Sequence, residues 1–76
     1  MAEQTIRERY FQLLLEHVRK DPFPSVEHMD LIEASVRSPE ELVEYLEALM
    51  EKVEATRFPS LQMLRRIQRI AVMLPA

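Results

Sequence analysis

The sequence predicts an all-α fold, a four-helix bundle made of two pseudo-symmetric helix–turn–helix hairpins. Three observations carry this expectation. Apolar residues recur at helical spacing in four segments, and no segment shows the strict alternation of a half-buried strand. A Ser or Thr precedes each segment, where its hydroxyl can accept an orphaned N–H of the first turn. The second half of the chain also echoes the first at an offset of 35 residues.

The first helix, about residues 6–20, opens on Thr5-Ile6-Arg7-Glu8, a capping-box pattern. It stripes Ile6, Tyr10, Leu14 and Val18, flanked by Phe11, Leu13 and Leu15. Asp21-Pro22-Phe23-Pro24 breaks it, because each Pro disfavours helix in the residue before it. The second helix, about 26–36, starts after Ser25 and stripes Val26, Met29, Ile32 and Val36. Ser38-Pro39-Glu40-Glu41 opens the third, about 39–54, with Pro at the first helical position. Its stripe is Leu42, Leu46, Leu49, Met50 and Val53, with Val43 and Tyr45 beside it. After Thr56-Arg57-Phe58-Pro59, Ser60 starts the fourth, about 61–73, striped by Leu64, Ile67, Ala71 and Leu74, with Met63 and Ile70 alongside.

The halves align along these stripes and turns. Tyr10 meets Tyr45, Leu14 meets Leu49, Val18 meets Val53, Ile32 meets Ile67, and Phe23-Pro24-Ser25 meets Phe58-Pro59-Ser60. Two amphipathic hairpins could share stripes by chance, but not two Phe-Pro-Ser triplets in register. We read a duplicated unit, the first copy spanning about 5–37 and the second about 38–76, within a single helical domain covering 1–76. A period near 35 invites comparison with tetratricopeptide arrays, which need small residues at their crossings and usually three or more units. This chain has no Gly and only two units, so two hairpins closing on each other fit better.

Composition narrows the chemistry. With no Gly there is no phosphate-cradling loop, and with no Cys no disulfide, thiolate zinc site or Cys nucleophile. The hydrophobic fraction of 47% and charged fraction of 30% are those of a folded domain. The longest apolar runs, Leu13–Leu15 and Ile70–Leu74, fall far short of the ~20 residues of a membrane span. No signal-peptide core follows the charged N-terminus, so a cytoplasmic location is expected. Arg outnumbers Lys eight to two, which hints at GC-rich coding.

Charge is segregated. The net charge of −3 combines +1 over residues 1–20, −8 over 21–54 and +4 over 55–76. Such an acidic middle and basic end are electrostatically self-complementary.

No constellation suggests catalysis. Glu40, Glu44, Glu47, Glu51 and Glu54 step along one face of the third helix, as expected of a solvated or docking face. His17 and His28 have no further ligands at zinc spacing. The reading is therefore a non-enzyme without metal or cofactor. Phe23 and Phe58 are expected to plug the ends of the core, with Pro24, Ser25, Pro59 and Ser60 completing the turns. Tyr10 and Tyr45 are core or rim residues whose hydroxyls need water or a partner.

Two functions compete. A single core in a chain this short rarely supplies more than ~3–5 kcal/mol, which favours help from another chain. The fourth helix is apolar over more than half its circumference. Met63, Arg65, Arg66, Arg69, Ile70 and Met73 are thus candidates to bind a protein partner or form a homodimer, with the arginines pairing to third-helix carboxylates. The alternative is a DNA-reading helix-turn-helix using Gln62, Arg65, Arg66, Gln68 and Arg69. An overall pI of 5.3 and the acidic neighbouring helix weigh against it, since phosphate neutralisation dominates nucleic-acid affinity.

The segments FPSVEHMDLIEASV and FPSLQMLRRIQRIA, with the opening IRERYFQLLLEHVRKD, resemble a group of small uncharacterised bacterial proteins of actinobacterial type. The resemblance covers most of the chain and rests on turns, caps and stripes. It implies the helical fold and carries no activity.

Overall fold

The computed structural model describes residues 5–74, so the first four and last two residues of the expected domain lie outside it. Four helices follow in order: α1 (Ile6–Lys20), α2 (Val26–Ser35), α3 (Pro39–Ala55) and α4 (Leu61–Ala71). All four predicted caps form. Thr5 Oγ1 accepts from the Glu8 N–H at 3.1 Å while Glu8 Oε1 accepts from the Thr5 N–H at 2.7 Å. Ser25, Ser38 and Ser60 accept from the N–H groups of His28, Glu41 and Met63 at 3.1, 3.2 and 3.0 Å. Each such cap contributes about 1 kcal/mol. The helices leave through Asp21, Val36 and Thr56 in extended conformation, and Val72 stays near helical geometry. No described residue has positive φ.

α1 packs against α2 and α3, and α3 packs against α4. One core results, built from Phe11, Leu14, Leu15 and Val18 of α1, Met29 and Ile32 of α2, Tyr45, Leu46, Ala48 and Leu49 of α3, and Ile70 of α4. The buried face of α1 is rotated from the predicted stripe. Because α1 faces two helices, it buries the i, i+3, i+4, i+7 set beginning at Phe11, and Ile6 and Tyr10 fall on the exposed side. α3, also flanked on two sides, likewise buries Tyr45 and Ala48 and leaves Met50 exposed.

Two expectations are corrected. Phe23 and Phe58 do not plug the core; they are 80% and 83% exposed. In the first turn Asp21 Oδ1 accepts the Phe23 N–H at 2.9 Å, a local Asx-type bond that fixes the chain there. Pro24 is the residue that turns inward and is buried. In the second turn the Arg57 guanidinium lies 6.0 Å from the centre of the Phe58 ring, keeping that ring company in solvent. The second correction concerns Ile70. Assigned above to a partner surface, it is 3% exposed and is the one α4 residue fully inside the core, because α4 meets α3 along that side.

Candidate functional site

Both Phe-Pro-Ser turns lie at the same end of the molecule and line one groove of about 600 Å³. Its apolar lining comes from Phe23, Pro24, Val26 and Met29 on one side and Phe58, Pro59 and Met63 on the other, with Val53 of α3 between them. Lys52, Arg65, Arg66 and Arg69 supply its charges, and no carboxylate belongs to the lining. An apolar trough with a cationic edge is thus assembled from two turns that are far apart in sequence.

The four cations are not equivalent. Arg66 is the most committed: its side chain is only 12% exposed, and Nη1 donates to Glu33 Oε2 and, at 3.0 Å, to Asp30 Oδ1. Burial pulls its pKa down, but the bonds to Glu33 and Asp30 outweigh this and hold it above the usual arginine value. The same Glu33 oxygen accepts the Tyr45 hydroxyl proton at 2.6 Å. Burial first, and the adjacent carboxylate second, push the Tyr45 pKa far above the phenol range. Glu33 therefore clasps α2 to α3 through Tyr45 and to α4 through Arg66. No buried side-chain polar atom among the described residues lacks a partner.

Lys52 is half-buried and donates through Nζ to the Arg19 carbonyl at 2.9 Å, linking α3 to α1. Burial lowers its pKa. Arg69 is exposed and only loosely paired, 3.7 Å from Glu33. Arg65 is exposed and takes part in no ion pair among the described residues.

These positions revise the candidate surface on α4. Met63, Arg65 and Arg69 line the groove, whereas Met73 is exposed but lies outside its lining. Arg66 faces inward as a structural residue. The α4 arginines do not pair with the acidic face of α3; the carboxylates they meet, Asp30 and Glu33, belong to α2. This also removes Arg66 from the five residues expected to read DNA, since it is held by two carboxylates and only Gln62, Arg65, Gln68 and Arg69 are exposed.

Sequence reasoning missed Glu33 and Asp30. Their partner lies more than 30 residues away, and nothing in local periodicity couples such positions. It found Phe23 and Phe58 but gave them the wrong role. Asp21, placed two residues before Phe23, was the available signal for a turn that holds the chain locally and leaves the ring outside.

Elsewhere, the rings of His17 and His28 lie 6.3 Å apart on the exposed sides of α1 and α2. The described residues contain no group of three or more His, Asp or Glu side chains able to hold a metal ion. No described helix is long and apolar enough to cross a membrane. No protein-family model, curated protein or solved structure matches the chain.

Proposed function

We propose that this chain is a non-catalytic protein-interaction module, acting as a small adaptor or regulator, and that the groove between its Phe-Pro turns is the binding surface. Its occupant is an amphipathic helix with apolar anchors and carboxylates. One observation carries the reading: two Phe side chains, each about four-fifths exposed, converge on one trough whose charged lining residues are all cationic. Isolated exposed apolar residues need no explanation, but a clustered pair beside further apolar surface marks an interaction site. Apolar anchors would supply affinity, and the Arg65 and Arg69 charges would set orientation and partner choice. Self-association, a cytoplasmic setting and an origin of the two turns by duplication of one hairpin belong to the same proposal.

The test uses a designed 16-residue helical peptide carrying Leu anchors and Glu flanks, with a version in which every Glu is Lys. Fluorescence anisotropy at about 50 mM salt should show micromolar binding of the acidic peptide and at least tenfold weaker binding of the basic one. Phe23→Ser/Phe58→Ser should abolish it. Equal binding of both peptides, or of neither, overturns the reading. A mobility shift with duplex DNA at the same salt, lost in Arg65→Ala/Arg69→Ala, would install the nucleic-acid alternative instead.

A further inference from the structure

The groove has a chemical counterpart on the chain itself. Glu40, Val43, Glu47, Met50, Glu51 and Glu54 of α3 are all exposed. At 100° per residue they fall within an arc of about 100°, with Val43 and Met50 two turns apart, roughly 10 Å, at its apolar edge. The four carboxylates take part in no ion pair among the described residues. This is the surface the groove is built to receive: apolar anchors with acids around them.

It cannot meet its own groove. The α3 residues that line the groove, Lys52 and Val53, centre on the other side of the helix from Glu40, Val43, Glu47 and Glu54. Apart from Glu51, which borders Phe23 and Lys52 in a neighbouring cavity, the acidic face therefore points away from the groove, and another molecule is needed to join the two.

Resting on the groove reading above, we infer that the occupant is the acidic α3 face of a second copy of this chain, bound head to tail. Charge supports it, since residues 21–54 carry −8 and residues 55–76 carry +4. Unfinished burial supports it as well. Among the described residues more large hydrophobic side chains are exposed than hydrophobic residues are buried, and Phe23, Phe58, Val26, Val43 and Met50 all belong to the two surfaces concerned. Because different patches meet, the contact is heterologous. It does not close as a two-fold dimer; it propagates into a chain or closes as a ring, depending on the rotation between neighbours. Exposed charges along the seam make it salt-sensitive.

Sedimentation velocity on the full chain tests this. At about 100 μM and 50 mM salt the average mass should exceed twice that of the monomer and should fall at 500 mM. Arg65→Glu/Arg69→Glu blocks the groove and Met50→Asp blocks the face; each variant alone should sediment as a monomer with unchanged circular dichroism. Mixed in equal amounts, they should form one-to-one dimers and nothing larger, because each retains one working surface. A wild-type monomer at 100 μM overturns the inference, as does self-association that neither variant disturbs or variants that fail to complement. If the acidic peptide still binds the groove while the wild type is monomeric, the groove reading stands and only the second copy falls.

Discussion

The two hairpins share a Phe-Pro-Ser turn and part of their apolar stripes, yet reach different degrees of burial. In the first, α2 buries Met29 and Ile32 against α1. At the matching places in the second, Leu64 is exposed and Ile67 is half-buried. The turns match more closely: Ser25 and Ser60 cap in the same way, and Phe23 and Phe58 are almost equally exposed. Local chemistry is thus shared, while tertiary cover is not. Four helices cannot all sit in the middle, and α4 is left on the margin with one buried residue, Ile70. Apolar packing joins α1, α2 and α3, and what ties the marginal α4 to α2 is the Arg66–Glu33 ion pair of the clasp.

Removing matched side chains should expose this asymmetry most clearly. Ile32→Ala deletes a fully buried side chain and should cost about 2–5 kcal/mol, enough to unfold much of the population in a domain this small. Ile67→Ala, at the half-buried equivalent, should cost about half as much or less by urea denaturation. Equal losses would mean the second hairpin is covered as well as the first.

The burial of Tyr45 against Glu33 can be probed by pH. The Tyr45 pKa is raised in the folded state, so the unfolded chain loses this proton first. The stabilisation is complete below the ordinary phenol value near pH 10 and declines above it, by up to about 1.4 kcal/mol per pH unit. The thermal midpoint of wild type should fall between pH 9 and 11. In Tyr45→Phe that alkaline limb should flatten, from a lower starting midpoint at neutral pH. A limb of unchanged steepness would place the alkaline transition elsewhere.

The smallest effect is expected at the two groove phenylalanines. Phe23→Ser and Phe58→Ser should each change stability by less than about 0.5 kcal/mol, because the rings are exposed. A larger loss at either turn would restore the core-plug role expected of it from sequence. It would also break the equivalence of the two turns.

Why some of this could be read from sequence and some could not follows from range. Caps, helix starts and the turns depend on neighbours within four residues, so Thr5, Ser25, Ser38 and Ser60 are legible as caps from the sequence alone. Which arc of each helix is buried depends on how many helices it touches, so Phe11 displaced Tyr10 and Ala48 joined the core unannounced. The direction of Arg66 depended on carboxylates in the other hairpin, and a helical wheel could only report that an arginine lay near others. The groove combined the two kinds of information. Its residues were visible as turns, but their convergence on one trough was not.

The absence of positive φ among the described residues, in a chain with no Gly and five Pro, has a consequence outside the folded state. Each residue with a side chain, and each proline, denies the unfolded chain conformations that glycine would allow; a Gly-to-Ala or X-to-Pro change at a compatible site is worth about 0.4–1 kcal/mol for this reason alone. Turning through Pro and Ser instead of Gly therefore leaves the denatured ensemble poorer in disorder, so less entropy is surrendered on folding. A helical domain with so small an interior, and with α4 only half covered, can stand partly because its alternatives are few.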